Sequence, residues 1–153
     1  MLNKLASFDI LELNRLCLKD NIKNLASFLV GKALRLLPRP LVVISYADSG
    51  WNHNGYIYQA TNWIYKGMSK GKRNIRIDGH LYHQKSAFNA FGTASEGKLQ
   101  LMFPEKSVTV EYQGDKHRYF YLLGSKKQKR DMKELLDGKW ATEPYPKGEN
   151  KYY

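Results

Sequence analysis

Alternating and periodic apolar positions predict a strand, a helix and a second strand in the first third of the chain. Residues 9–18 alternate apolar and polar side chains, with one change of phase of the kind that a β-bulge produces. Apolar side chains then recur at helical spacing over 25–36, after Asn24, a residue type that favours the N-cap, and before two prolines. The continuous apolar run 41–44 is typical of a buried parallel strand. This order predicts a βαβ unit with a right-handed crossover.

The pattern of residues 55–65 predicts a second helix. One apolar stripe along it has core spacing, and a second, polar-aromatic stripe consists of Tyr58, Asn62 and Tyr65. The apolar stripe is expected to pack in the core. The polar-aromatic stripe is a candidate to line a cleft.

The second half of the chain predicts mostly strands. Residues 75–77 and 80–83 flank Asp78 and Gly79, which is a two-residue hairpin signal. The segment 88–97 is rich in small and polar residues and is expected to be a loop.

A further strand pair and a basic helix are predicted after that loop. Residues 108–112 alternate as a strand, and 117–123 are expected to be their antiparallel partner. Ser125 and Gln128 have the spacing of a capping box, which opens a basic helix that ends near Gly138.

Length and patterning together predict a mixed α/β fold. The 153 residues suit one hydrophobic core, so we expect a single domain over 1–140 and an extended tail over 141–153. The apolar runs are all shorter than the roughly 18 residues that a membrane-spanning helix needs.

Cysteine and histidine usage adds two expectations. The single Cys17 cannot form an internal disulfide, which fits a reducing, cytoplasmic setting, and its apolar neighbours favour a buried, inert thiol. The four histidines lack the spacing of known zinc motifs, so no structural metal site is expected, and a looser site assembled by the fold stays open.

Charge changes the picture more. The formal net charge is +11, and five basic residues without an acidic one lie in 66–76, while a second basic block covers 126–130. Such clusters favour a polyanion, most commonly nucleic acid, although a well-solvated basic surface is about equally common. The 11 tyrosines, 6 phenylalanines and 3 tryptophans favour nucleic acid slightly, because aromatic faces stack on bases. The candidate phosphate contacts are Lys66, Lys70, Lys72, Arg73, Arg76, Arg118, Lys126 and Lys127.

The segment 45–63 is the densest in candidate chemistry. It begins at the carboxyl end of the predicted buried strand, where open α/β sheets bind ligands, and most of its side chains can form hydrogen bonds. Asp48 is a candidate base, Tyr58 a candidate proton donor or relay, and His53 a base, ligand or phosphate contact. Taken singly, each has a commoner structural explanation as a turn former, a packed ring or a solvated imidazole. Their concentration at one strand end favours function.

Part of the sequence also resembles a known family. Residues 45–48, His53, Gly55 and the run 57–63 resemble the signature of the phage Mom DNA-modification family, and supporting pieces occur in the same order at 12–16, 77–79, 116–119 and 144–147. The resemblance implies an acetyltransferase-like (GNAT-like) twisted mixed sheet with helices on both faces. Here that sheet would be N-terminally shortened, because relatives usually carry a further strand-and-helix layer before the strand that contains Arg15.

The resemblance also implies an activity. Members add a carbamoylmethyl group to the N6 amine of adenine in double-stranded phage DNA, which protects the genome from host restriction enzymes in the host cytoplasm. The donor is left open, with an acyl-type or CoA-linked molecule among the candidates, and so is the part of a metal. On this pattern the catalytic residues are Arg15, Ser27, Asp48, Tyr58 and His53, and the base-binding residues are Tyr46, Trp51, Gln59 and Asn62.

A mechanism follows as a hypothesis. The enzyme flips adenine into a cleft, Asp48 accepts the N6 proton through Tyr58, and Arg15 stabilises negative charge on the donor or leaving group. Two rival functions stay open. One is an acetyl-CoA-dependent amine acetyltransferase, although the loop 19–24 has no glycine for a pyrophosphate-binding turn. The other is a non-catalytic DNA-binding relative.

Overall fold

Two compact units make up the chain. A computed structural model describes residues 3–5, 7–20 and 22–148. One unit lies within 1–69 and 116–153, and the other covers 70–115. The end of the predicted tail, 149–153, and Asn21 of the predicted polar loop lie outside the described residues. The single domain over 1–140 stays a prediction.

The chain alternates strands and helices, as a mixed α/β protein does. The strands are β1 (Asn3–Leu5), β2 (Phe8–Glu12), β3 (Leu41–Asp48), β4 (Ile64–Ser69), β5 (Arg73–Ile77), β6 (His80–His83), β7 (Val108–Tyr112) and β8 (Lys116–Leu123). The helices are α1 (Leu25–Leu36), α2 (Tyr56–Ala60), α3 (Gln84–Phe91), α4 (Glu96–Met102) and α5 (Lys126–Asp137). No helix of the described chain is long and apolar enough to cross a membrane.

The predicted βαβ unit is present as β2, α1 and β3, and β2 and β3 pair in parallel. The first strand is shorter than predicted, because β2 ends at Glu12 and residues 13–18 form no regular structure. The pairing continues only through the Leu13 N–H, which donates to the Ile44 carbonyl at 2.9 Å. Cys17 belongs to this irregular stretch and is exposed, so the prediction of a buried thiol is wrong.

The first unit's sheet has the order β1-β2-β3-β8-β4, and it carries helices on both faces as expected. Alternate residues of β3 point to opposite faces. Val43 packs with Val30 of α1, on what we term the α1 face. Val42 packs with Met132 of α5, on what we term the α5 face.

The predicted helix 55–65 is wrong in its second half. Helix α2 ends at Ala60, Asn62 adopts a left-handed conformation with φ 60°, and β4 begins at Ile64. The reason is a tertiary contact: as a strand, β4 forms backbone hydrogen bonds with β8, in which Ile64 lies opposite Phe120. The polar-aromatic stripe therefore does not exist as one helix face.

The predicted pairing of 108–112 with 117–123 is also wrong. Strand β8 pairs with β3 and β4, and β7 pairs with β5 in the second unit. Strand β8 is buried on both faces, as a central strand must be, and local patterning does not show which neighbours such a strand selects.

The second unit contains the predicted hairpin. Asp78 and Gly79 have φ values of 46° and 81° between β5 and β6, as a tight two-residue turn requires. The predicted loop 88–97 is wrong at both ends, because it overlaps α3 and α4. Buried Ala87 and Leu99 anchor these two short helices on the core of this unit.

Helix α5 and the tail complete the first unit. The Ser125–Gln128 capping box is present, as predicted. Residues 139–148 contain no helix or strand, but they do pack on the unit: the Tyr145 hydroxyl donates to the Trp63 carbonyl at 2.5 Å. The described part of the predicted tail therefore lacks regular structure but is not detached from the unit.

A buried lysine ties α5 and the tail to the sheet. Lys66 of β4 has a fully buried side chain, and its ammonium donates to Asp137, to the Trp140 carbonyl and to Thr142. The hydrogen bonds from Lys133 and then Lys66 hold the pKa of Asp137 well below its usual range.

Acid should weaken this connection. Because the folded state lowers the pKa of Asp137, its stabilisation is complete above the ordinary value of 3.8 and is lost as pH falls towards the lower folded value. As the pH is lowered from about 5 to about 2, the urea concentration at the midpoint of unfolding should decrease more for the wild type than for Asp137→Asn. At neutral pH the variant should be the less stable protein, since Lys66 stays buried without a carboxylate. Parallel pH curves would contradict the assignment.

Candidate functional site at the carboxyl edge of β3

The end of β3 is folded back on itself. Asp48 is the last residue of the strand, and a 3₁₀ turn, Ser49–Trp51, follows it. One carboxylate oxygen of Asp48 accepts the Gly50 N–H at 2.9 Å, and the Asp48 carbonyl accepts the His53 N–H at 3.1 Å. The other carboxylate oxygen lies 3.7 Å from the Lys116 ammonium, and the side chain is 31% exposed. This carboxylate is held in place and remains open to solvent.

Exposed side chains follow Asp48 in the sequence. Trp51 is 71% exposed, an unusual position for an indole, and His53 is exposed as well. Tyr46 is half-buried. The loop after β3 therefore offers an aromatic face beside a carboxylate.

Two further predicted residues share this edge. Parallel β2 and β3 end at one side of the sheet, and α1 begins on that same side because it returns the chain between them. Arg15 is exposed and follows β2, so it is not on the strand as expected. Ser27 lies in the first turn of α1 and donates to the Asn24 carbonyl at 3.0 Å. Topology thus places Arg15, Ser27 and Asp48 at one edge.

Tyr58 belongs to a different environment. Ser45 Oγ lies 2.6 Å from the Leu13 carbonyl and 2.7 Å from the Tyr58 hydroxyl. A carbonyl oxygen can only accept a hydrogen bond, so the Ser45 hydroxyl donates to the Leu13 carbonyl and accepts a hydrogen bond from the Tyr58 hydroxyl. The Tyr58 ring lies 5.0 Å from that of Trp63 and 5.1 Å from that of Tyr119. This hydroxyl fixes the point at which the chain leaves β2.

Strand alternation separates Asp48 from Tyr58. Ser45, which binds Tyr58, is in phase with Val43 and faces α1, whereas Asp48 is in phase with Val42 and faces α5. The structure therefore does not bring the proposed base and the proposed relay together.

The other end of the segment lies farther away still. Thr61, next to Asn62, lines a cavity together with Leu123, whose Cα partner is Leu41 at the start of β3. Asp48 is at the end of that strand, about 23 Å along it at roughly 3.3 Å per residue. Asn62 therefore lies towards the start of β3, whereas Asp48 is at its end.

Gln59 is engaged within the protein. Its amide donates to the Asn54 carbonyl at 2.8 Å and to the Tyr119 hydroxyl at 3.2 Å, and that hydroxyl donates to the same carbonyl at 2.6 Å. Burial raises the pKa of Tyr119, so the phenol stays neutral and keeps its proton for this bond. These bonds anchor the loop before α2 on β8.

Sequence reasoning did not assign a role to a buried pair beside this cluster. The Tyr65 hydroxyl lies 2.9 Å from His117 Nδ1. Burial lowers the pKa of His117 and raises that of Tyr65, so at neutral pH Tyr65 donates to a neutral imidazole. The resemblance at 116–119 was the only signal that pointed to His117.

A family model described as the Mom protein family matches residues 1–147, which include the whole edge. The chain belongs to the Mom protein family. Methylcarbamoylase mom of Escherichia phage Mu is 29% identical over 142 residues, 90% of this chain and 56% of that protein. The chain therefore spans little more than half the length of this Mom relative.

The structure buries two of the predicted phosphate contacts of this Mom family chain, Lys66 and Arg118. Lys66 is buried and bound to Asp137, and Arg118 is buried, donates to the Lys66 carbonyl and lies 4.7 Å over the Trp140 ring. Their charged groups are engaged within the α5 face.

The other basic residues differ in exposure. In the second unit, Arg73 donates to the Ala94 carbonyl and Arg76 pairs with Glu111 at 2.6 Å. The exposed members of the predicted set are Lys70, Lys72, Lys126 and Lys127. The described residues hold no group of three metal-ligating side chains.

Removing one hydroxyl tests the role of Tyr58. Because Tyr58 donates into Ser45 at the point where β2 ends, Tyr58→Phe should lower the free energy of unfolding by about 1 kcal/mol. Urea unfolding at neutral pH measures this loss. Tyr56→Phe, a neighbouring tyrosine of α2, is the matched control and should change it less. Equal stability of the two variants would contradict the structural role.

Proposed function

We propose that this chain is a DNA-modifying transferase of the Mom type, built on an acetyltransferase-like sheet, which adds a carbamoylmethyl group to adenine N6 in double-stranded DNA. The family match over 1–147 carries the proposal, because the match includes the carboxylate, the exposed indole and the imidazole at the end of β3. The setting would be the cytoplasm of a phage-infected or prophage-bearing cell.

Adenine must leave the duplex before it can react. Flipping a base costs a few kcal/mol, and proteins offset this by stacking the base on an aromatic face. Trp51 has the required exposed ring three residues after Asp48. We assign Trp51 as the stacking residue and Tyr46, on the same face of β3 as Asp48, as its neighbour.

The transfer then needs a proton acceptor. A bond forms between N6 and the methylene carbon, the bond from that carbon to its donor breaks, and one N6 proton leaves. Asp48 accepts it directly, because Gly50 holds one carboxylate oxygen in place and the side chain is 31% exposed. Tyr58 is not the relay in this scheme, since it faces α1. Arg15 stabilises the negative charge of the departing donor.

Nucleoside mass spectrometry tests the function. DNA from cells that express the chain is digested, and the adenine nucleosides are compared with those from cells that lack it. The expected product is deoxyadenosine enlarged by one carbamoylmethyl group. An acetyl adduct on a protein or amine, with unmodified DNA, would instead indicate an acetyltransferase. Salt-dependent DNA binding without any adduct would indicate a non-catalytic relative.

A further inference from the structure

A cavity at the opposite end of the first unit's sheet is not part of the edge described above. It has a volume of about 160 Å³ and lies where β3 begins, between the end of α1, the turn after α2 and the end of β8. Its lining residues are Gly31, Leu34, Arg35, Arg39, Thr61, Tyr121 and Leu123. All of these belong to one unit.

Two arginines line this cavity, and neither has an acidic partner among the described residues. The described ion pairs of the chain involve other residues, and both Arg35 and Arg39 are exposed. The negative end of the α1 dipole explains why a basic residue, Arg35, occupies the last helical turn. It does not explain Arg39, which lies beyond the helix. Two like charges at one concave site favour an anion between them.

The backbone presents Arg39 in a restricted conformation. Pro38 and Pro40 flank it, and a proline fixes its own φ and limits the residue before it. Less backbone conformational entropy is therefore lost when Arg39 binds a ligand. Guanidinium groups bind phosphate oxygens in pairs of parallel hydrogen bonds.

The rest of the lining suits an ester of phosphate. The Tyr121 hydroxyl has no hydrogen-bond partner among the described residues and can donate, whereas the Thr61 hydroxyl already donates to the Ile57 carbonyl and can accept. Leu34 and Leu123 form an apolar floor. The volume equals about five waters at roughly 30 Å³ each, which is enough for a phosphate and part of its sugar.

One of the lining residues is a glycine within α1. Glycine in a helix interior is less favourable than alanine. A Cβ added at Gly31 would meet nothing within 4 Å, so packing does not require the glycine. Gly31 lines the cavity, so a side chain at this position would occupy open space and not a packed contact.

We propose that this cavity binds the phosphate group of a phosphate ester, either a nucleotide or a phosphate of the DNA backbone. The proposal is independent of the adenine chemistry, because none of the lining residues takes part in it.

Titration calorimetry with inorganic phosphate and with adenosine monophosphate tests the site. Arg39→Gln and Arg35→Gln should each weaken binding by about tenfold or more, since each removes a charge-assisted contact. Lys32→Gln removes the same charge from α1, where Lys32 lies over the Phe28 ring, and should stay within about twofold of the wild type. Thermal unfolding checks that all three variants are folded.

A second arm identifies the source of the phosphate. If Arg39→Gln also weakens binding of a short DNA duplex, and inorganic phosphate competes with that duplex at constant ionic strength, the ligand is the DNA backbone. If duplex affinity is unchanged while adenosine monophosphate binding is lost, the ligand is a nucleotide. The proposal is overturned if the wild type binds neither probe at millimolar concentration, or if Lys32→Gln weakens binding as much as the arginine variants. Nucleoside mass spectrometry reads out the adenine chemistry separately.

Discussion

Asp48→Asn should lower adenine modification by at least about 100-fold, because an amide cannot accept the N6 proton. Asparagine keeps an oxygen for the Gly50 N–H, so the 3₁₀ turn and its exposed Trp51 should stay in place. The Lys116 contact at 3.7 Å is partly exposed, and its loss should change stability by less than about 1 kcal/mol. The modified fraction of adenine, measured in cells at matched protein levels, gives the effect.

Asp9→Asn is the matched control for that substitution. Asp9 is an exposed aspartate of β2, the neighbour of β3, and its variant should modify DNA like the wild type. Urea unfolding of both variants separates lost chemistry from lost folding. Should Asp48→Asn retain half of the wild-type activity, Asp48 is not the proton acceptor.

The local part of the fold could be predicted from the sequence. The Asp78–Gly79 hairpin and the Ser125 capping box depend on contacts between residues that are near in sequence, and each element of the βαβ unit has its own local pattern of apolar residues. Strand β4 could not be predicted in this way. Its residues continue a helical pattern, and only pairing with β8, more than 50 residues later, makes the strand the better structure.

The candidate site was predicted in position but not in arrangement. The segment after residue 44 does lie at a strand end, but β3 extends four residues farther than the apolar run, to Asp48. Extending the strand assigns Ser45 and Asp48 to opposite faces, which separates Tyr58 from Asp48. The burial of Lys66 could not be predicted for another reason. Its partner Asp137 is 71 positions away in the chain, so the basic residues around Lys66 do not indicate that its side chain is buried.

Neutralising the first turn of α5 should weaken DNA binding strongly. Lys126 and Lys127 are exposed at the positive end of the helix dipole, where lysine is unfavourable and no acidic residue offsets it. These lysines are therefore not explained by helix stability. Their positive charge adds to the partial positive charge of the helix N-terminus. Replacing Lys126, Lys127 and Lys129 by glutamine should lower duplex affinity by roughly 100-fold near 0.1 M salt.

The salt dependence separates phosphate contacts from a general effect of net charge. If three phosphate contacts are lost, the slope of log affinity against log salt should become less steep by about 2.7, as counterion release requires. Replacing Lys85, Lys98 and Lys106 by glutamine removes the same charge from exposed positions of the second unit. The slope of that control should stay close to the wild-type slope, because lysines that make no phosphate contacts release few counterions when DNA binds. Equal losses in the two triple variants would show that DNA senses the overall charge of +11 and not the start of α5.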